Sequence, residues 1–348
     1  MAIGEVGGAF NTGAYVEPGK QFQQGTGSTV NPLHVEQYGG AVETRFVKAS
    51  FMRQYANIKS VRGTDTITND RMGKTSIQAV TKGVRPEGGG VDFDNVSVKV
   101  DTIVLARNNV ALLDEFQQHF DSRVKIGEDH GKEIGKFFDE AFIIQNIKCA
   151  LINAEDHLGN ATSDANVQRL PEGFGHGTCI DLASAGDEND PDKLLRAIED
   201  MMEGIELQDV DAEGGVLLMN ATQYNTLMRN DKLINADYSL GNGDYAKGMV
   251  LQANGVRVVK TNRIPKEAIS DHFLSNVGND NAYDVSAAEA RTKVLYIQPN
   301  SLLAGETIPL TSKVYYSDVE LQWFIDSYLS FGVTPNRPEM AGIVRAAA

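Results

Sequence analysis

Histidine and cysteine are the residues most able to do chemistry here, and their spacing indicates no active site. None of the six histidines forms an H-E-x-x-H motif. His176 and Cys179 share the stretch HGTC and could supply two metal ligands. A zinc site needs about three or four ligands, and no second pair stands at a recognisable spacing. A glycine-rich turn is the alternative interpretation of this stretch.

Other catalytic motifs are also missing from the sequence. It has no G-x-S-x-G nucleophile motif, and Gly73-Lys74-Thr75 lacks the preceding glycine of a phosphate-binding loop. Acid–base catalysis needs two carboxylates in different environments, which acidic pairs on polar segments do not indicate. We therefore predict no catalytic, cofactor-binding or metal-binding residues, no cofactor, and no enzymatic activity.

Composition excludes further classes of protein. The 348 residues allow about two domains. A net charge of −15 argues against a protein whose main role is to bind nucleic acid through a basic face. No run approaches the ~18 apolar residues of a membrane span. Two cysteines form no disulfide framework, which fits synthesis in a reducing cytoplasm.

The first hundred residues are predicted to form an arm and an extended ribbon. Residues 1–31 are rich in glycine and indicate either a disordered tail or an arm that orders on a neighbouring chain. An amphipathic helix follows within 34–55. Residues 76–80 and the alternating valines of 96–100 predict two strands joined by a turn-rich loop. A two-stranded ribbon is marginal alone, so we expect its apolar alternation to be covered by another copy.

The rest of the chain predicts helices and strands that could cover a core. A short helix is expected over 110–120 and a long helix over 127–153, where Gly131 and Gly135 would ease bending. Asp190-Pro191 indicates the start of another helix, and alternating helices and strands over 190–300 favour an α/β subdomain. The aromatic C-terminal part predicts strands around 319–333.

The order of these parts resembles the major capsid protein of tailed bacteriophages, with its HK97-like fold, and is most similar to short-tailed T7-like podoviruses. Several stretches carry the resemblance. They are Gly40–Phe46, Arg71-Met72-Gly73-Lys74, Val96–Val104 (VSVKVDTIV), Asp114–Arg123 (DEFQQHFDSR) and Arg337–Gly342 (RPEMAG). The resemblance covers most of residues 35–345, and residues 158–180 and 266–291 depart from it.

This resemblance implies an α+β fold with four parts. These would be an N-terminal arm (1–57), an extended loop (58–107), a peripheral domain with the spine helix (108–189 and 301–348), and an axial domain (190–300). The axial loops, including 239–248, would point toward the axis of a capsomer.

The resemblance also implies a function. Copies would self-assemble into hexamers and pentamers of an icosahedral head that encloses double-stranded DNA without sequence-specific binding or membrane contact. A scaffolding protein, a portal and a decoration protein are the expected partners, and assembly would occur in the host cytoplasm. We expect intersubunit charge pairs from Arg62, Arg71, Lys74, Lys82, Arg85 and Glu87, and a spine-helix hinge at Gly131 and Gly135. An encapsulin-like compartment and a soluble α/β enzyme are the alternatives.

Overall fold

A computed structural model describes most of the chain from residue 41 onward. It covers 41–112, 122–155, 174–230 and 252–347, except Lys48 and six positions between 76 and 89. Leu170, Leu233, and the pairs 243–244 and 249–250 are also described. The predicted arm before residue 41, Glu87, the motif at 114–121 and most of the 239–248 loop lie outside these residues.

The described elements follow one another in this order after a helix over 41–47, here called the arm helix. They are α1 (Met52–Tyr55), β1 (Ile58–Ser60), β2 (Thr66–Met72), β3 (Phe93–Lys99), β4 (Val104–Ala111), α2 (Ser122–Leu151), β5 (Thr178–Asp181), α3 (Pro191–Glu206), β6 (Val216–Met219), α4 (Ala221–Leu227), β7 (Gly243–Asp244), β8 (Met249–Val250), β9 (Gln252–Ala253), β10 (Val256–Lys260), β11 (Thr292–Ile297), β12 (Leu302–Ser317), β13 (Gln322–Pro335) and β14 (Ala341–Arg345).

The long helix α2 begins five residues earlier than predicted and ends two residues earlier. Its 30 residues would span about 45 Å. From Ala141 to Ile152 nearly every residue is buried. A helix that is buried on all sides lies within the core rather than on the surface, so α2 is the element on which other parts of the fold pack.

The ribbon forms, but its first strand lies ten residues before the predicted one. β2 pairs with β3 in antiparallel register from Thr66 opposite Lys99 to Met72 opposite Phe93. Described positions within 76–80 are not in a strand, so that prediction was wrong. The connecting loop therefore runs over residues 73–92.

The expectation that the ribbon's apolar alternation needs another copy was also wrong. Val96, Val98 and Val100 are all buried within the same chain. Val96 and Val98 pack against Ile67 of β2 and Leu303 of β12. The inward apolar face of the ribbon is therefore covered by the subunit itself.

A four-stranded sheet has the order β1-β12-β13-β4. β4 pairs with β13 from Val104 opposite Leu329 to Ala111 opposite Gln322. The predicted helix over 110–120 therefore starts within a strand, and its positions 113–120 lie outside the described residues. Positions 319–321 form the turn between β12 and β13 rather than the start of a strand.

The second sheet has six strands, in the order β5-β14-β11-β6-β10-β9. Its middle strands come from the predicted axial region, whereas β5 and β14 come from outside it. Helix α3 begins where predicted, because the Asp190 side chain accepts hydrogen bonds from the backbone N–H groups of Asp192 and Lys193. The apolar face of α3 packs with this sheet in the largest described core cluster.

The chain divides into two compact units. One contains the arm helix, residues 103–135 and 308–329, with a core that includes Val42, Trp323 and Ile325. The other contains residues 50–102, 136–307 and 330–347, with the core formed by α3 and the six-stranded sheet. The division crosses α2 between Gly135 and Lys136.

Candidate assembly surface

Side chains of the β2–β3 ribbon alternate between an inward face covered by the subunit and an exposed outward face. Near the base, Val98 is buried opposite the half-buried Ile67. At the far end, Met72 is 62% exposed and its partner Phe93 is 73% exposed. In the loop beyond them, Ile77 is 97% and Val80 62% exposed. The ribbon thus carries four large uncovered apolar side chains at one end, which is typical of an interaction surface.

Basic side chains accompany these apolar ones. Lys74, Lys82 and Arg85 of the loop are exposed, and Arg62 is exposed before the ribbon begins. Glu87 lies outside the described residues. By sequence the 73–92 loop holds three basic and two acidic residues, in a chain whose net charge is −15. The loop is therefore locally basic on an acidic subunit.

Arg71 differs from the other predicted contact residues, because its charge is already paired inside the subunit. Its guanidinium forms an ion pair with Asp94 and donates a hydrogen bond to the Asn336 carbonyl at 2.6 Å. Asn69 donates to the Asn336 side-chain oxygen at 2.9 Å. These contacts fix the ribbon to the segment that precedes β14.

The two glycines proposed as a hinge lie in one uninterrupted helix. Both are buried within α2. A Cβ at Gly131 would lie 2.5 Å from the Val42 carbonyl oxygen and 3.1 Å from the Phe46 nitrogen. Gly131 therefore permits close packing of the arm helix on α2, which explains its presence without a hinge.

Sequence reasoning missed the buried carboxylate of Asp139, which joins distant segments. It accepts hydrogen bonds from the Ser50 hydroxyl at 2.7 Å and from the backbone N–H groups of Phe51 (2.9 Å) and Met52 (3.1 Å). It also forms an ion pair with Arg263. An aspartate within the apolar stripe of a long helix was the available signal.

Comparison with known proteins identifies the family. The family model described as "Gp10A-like: Major capsid protein" matches residues 95–297, more than half of the chain. The chain belongs to the Gp10A-like major capsid protein family. No curated protein matches the sequence of this capsid protein.

Solved structures share its fold. The asymmetric unit of the mature capsid of bacteriophage PhiM1 is 23% identical, with a TM-score of 0.69, over 95% of this chain and 92% of that one. The capsid of cyanophage P-SCSP1u is 19% identical, with a TM-score of 0.71, over 86% and 88%. A virus-like particle from Pyrococcus furiosus is 14% identical, with a TM-score of 0.51, over 90% and 99%.

These findings confirm the predicted HK97-like fold and the predicted function of a major capsid protein that forms an icosahedral phage head. Its place is the capsid of the virion, where copies associate with one another in a shell. The family thus assigns the protein a structural role.

The histidine and cysteine side chains considered above for chemistry lie among residues that form no recognisable reactive site in the described part of the chain. His176 lies 3.3 Å from the Glu155 carboxylate, and no group of three or more metal-binding side chains occurs among the described residues. Burial raises the pKa of the Cys149 thiol to about 12, which leaves little reactive thiolate at neutral pH. Within the described part of the chain, no helix is both long and apolar enough to cross a membrane.

Proposed function

We propose that this capsid protein assembles into hexamers and pentamers around double-stranded DNA, and that the far end of the β2–β3 ribbon lies on a neighbouring copy. The exposure of Met72, Ile77, Val80 and Phe93 carries this proposal. The inward face of the ribbon is covered by its own chain, so the outward face at the far end, which carries Met72 and Phe93, is available for a neighbour.

The gain from covering this end is modest for one copy and large for a shell. Full burial of a Met or Phe side chain contributes about 1.5–3 kcal/mol. Met72 and Phe93 are each roughly two-thirds exposed, so each would contribute about 1–2 kcal/mol when covered. A closed ring repeats the contact at every subunit.

The charges support roles for Arg62, Lys74, Lys82, Arg85 and Glu87 in pairs with a neighbour, whereas Arg71 already has Asp94. The overall charge of −15 supports a wall that encloses DNA without binding it in a sequence-specific way. The resemblance supports a T7-like short-tailed phage, assembly in the host cytoplasm, and scaffolding, portal and decoration proteins as partners. Family membership favours a phage head over an encapsulin-like compartment or an enzyme.

We also infer that α2 bends at Gly135 when the head matures. The boundary between the two compact units falls next to this residue, and glycine costs a helix about 1 kcal/mol relative to alanine. Gly131 is a weaker candidate, because close packing against Val42 already accounts for it.

Replacing both Met72 and Phe93 with serine tests the proposed contact. Loss of about 3 kcal/mol per subunit would raise the concentration needed for assembly about 100-fold. Sedimentation and electron microscopy measure it. The matched variant with leucine at both positions keeps the apolar area and should assemble normally. Shells of the serine variant at the wild-type concentration would contradict the proposal.

A further inference from the structure

The connection between β10 and β11 is closed by a backbone bridge. Ile269 and Val285 pair in antiparallel fashion, with N–H to carbonyl distances of 2.9 and 2.8 Å. We call the residues that this bridge encloses, 269–285, the clasp. Within it the Asp284 carboxylate accepts a hydrogen bond from the His272 backbone N–H at 3.0 Å. The clasp is therefore a folded unit that can open or close as a whole.

The clasp packs on α2 and on the end of β13, within the larger of the two compact units. The Gln145 side chain of α2 donates a hydrogen bond to the Ala282 carbonyl at 2.8 Å. The Tyr283 hydroxyl donates to the Val333 carbonyl at 3.1 Å and accepts from the Val333 N–H at 3.0 Å. Opening of the clasp would break these contacts and uncover one side of α2.

The His272 ring lies at the centre of this contact and is 8% exposed. It stacks between the rings of Phe137 of α2 and Tyr283, with centroid separations of 5.4 and 5.7 Å. The Leu274 backbone N–H, which can only donate, lies 3.2 Å from Nδ1. Nδ1 is therefore the acceptor, and the neutral ring carries its proton on Nε2. Nε2 is buried and has no hydrogen-bond partner among the described residues.

The closed clasp is a poor environment for a second proton on this ring. A protonated Nδ1 would turn a donor toward the Leu274 N–H, so the hydrogen bond between them would be lost. The positive charge would also be buried with neither ring nitrogen paired. In agreement, burial lowers the pKa of His272, although the Asp284 carboxylate partly opposes this. In an open clasp the ring is hydrated and accepts the proton freely, so acid favours opening.

Charged side chains surround the ring without bonding to it. Nδ1 is bonded to Leu274, and Nε2 has no partner among the described residues. Burial raises the pKa of Glu140, so its titration has to be separated from that of His272 by experiment. Over 330–335 β13 carries no charged residue. The charged residues of the other elements around the ring are Asp271, Asp280 and Asp284 of the clasp, Glu133, Lys136, Asp139, Glu140 and Lys148 over 133–148 of α2, and Asp101, which accepts a hydrogen bond from Asn276 of the clasp.

We propose that His272 is a proton-sensitive latch, and that protonation of its ring releases the clasp from α2 and β13. The latch acts inside one subunit, so it is independent of the proposed contact between copies. A hydrated histidine has a pKa of about 6.5. If the closed clasp stays neutral, the equilibrium constant for opening should therefore rise up to about tenfold between pH 7.5 and pH 5.5.

Hydrogen exchange measured by mass spectrometry on the full-length protein tests the latch. After correction for the intrinsic exchange rate at each pH, protection of peptides from the clasp should fall up to about tenfold from pH 7.5 to 5.5. Peptides from α3, which contains no histidine, are the internal reference and should keep their protection. His272→Gln retains an acceptor for the Leu274 N–H but does not titrate in this range, so its clasp should show no such fall. His130→Gln is the matched control, because it removes another buried histidine outside the clasp and should behave as the wild type.

Three outcomes would overturn the inference. The first is unchanged protection of the wild-type clasp at pH 5.5, and the second is an equal fall in α3, which would indicate global unfolding. The third is a full fall in His272→Gln, which would assign the titration to another group such as Glu140. The first two outcomes need only the wild-type protein, so the test remains decisive if His272→Gln does not fold. Assembly is not measured, so none of these results bears on the proposed function.

Discussion

Removing the Asp139 carboxylate should destabilise the subunit more than any single change at its partners. The side chain is about 1% exposed and accepts from Ser50, Phe51 and Met52, while Arg263 pairs with it. Asp139→Ala leaves the Ser50 hydroxyl and two backbone N–H groups without this acceptor.

The magnitude follows from these contacts. An unsatisfied buried donor costs about 1–3 kcal/mol. For the three donors we expect a total loss of roughly 3–6 kcal/mol, below the full sum, because water can reach some of them in the variant. The Arg263 side chain is partly exposed and can be hydrated, so we add nothing for it. A domain has about 5–15 kcal/mol of stability in total, so Asp139→Ala should remove a substantial part of it.

Two matched variants make the reasoning testable. Asp139→Asn keeps one acceptor oxygen and should cost about 2–3 kcal/mol, because bonds to a charged group are stronger than neutral ones. Ser50→Ala removes a single donor and should cost about 1–2 kcal/mol. The measurement is urea unfolding of the unassembled subunit by circular dichroism.

The double variant Ser50→Ala with Asp139→Ala separates this network from simple loss of packing. Its destabilisation should fall short of the sum of the two single changes by about 1 kcal/mol, since the two groups contact each other. Additive effects, or an Asp139→Asn variant as stable as the wild type, would refute the reasoning.

Three further predictions concern α2 and the buried histidines. Gly131→Ala should lower the free energy of unfolding by about 1–2 kcal/mol, because overpacking against Val42 costs more than the ~1 kcal/mol gained in helix propensity. Gly135→Ala should alter the expansion of the head. Unchanged maturation of this variant by cryo-microscopy would contradict a hinge at Gly135. Burial lowers the pKa of His130 and His272 below the ordinary 6.5. Below about pH 6.5 the unfolded chain therefore binds more protons than the folded chain, which favours unfolding. The urea concentration at the unfolding midpoint should fall when the pH is lowered from about 7.5 to 5.5. Replacing both histidines with glutamine should reduce that fall, and an equal fall in the variant would contradict it.

The helices could be predicted from sequence because their signals are local. The three- and four-residue spacing of apolar residues predicted α2, and Asp190 with Pro191 predicted the start of α3. Both elements bury a face that the sequence marks as apolar.

β2 was misplaced because its inward face is largely polar. Ile67, Asn69 and Arg71 face the subunit, and the last two bond to Asn336 far along the chain. Period-two hydrophobicity cannot reveal a strand whose inward side chains are satisfied by distant polar groups. Asp139 escaped notice for the same reason, since its donors at positions 50–52 are 87–89 residues away.

The corrected ribbon changes what assembly must supply. Because Val96, Val98 and Val100 are covered within the chain, burial of the ribbon's inward face does not require a neighbour. Met72 and Phe93, exposed at its far end, are the part of the ribbon that we propose for the contact between copies. A contact of a few kcal/mol per subunit is weak enough to be reversible, so a misplaced subunit can dissociate again. The same contact is repeated around every closed ring, so the completed ring is stable. With the proposed contact, the residues that form the folding core are separate from those that join copies, so one sequence can specify both a folded subunit and a shell.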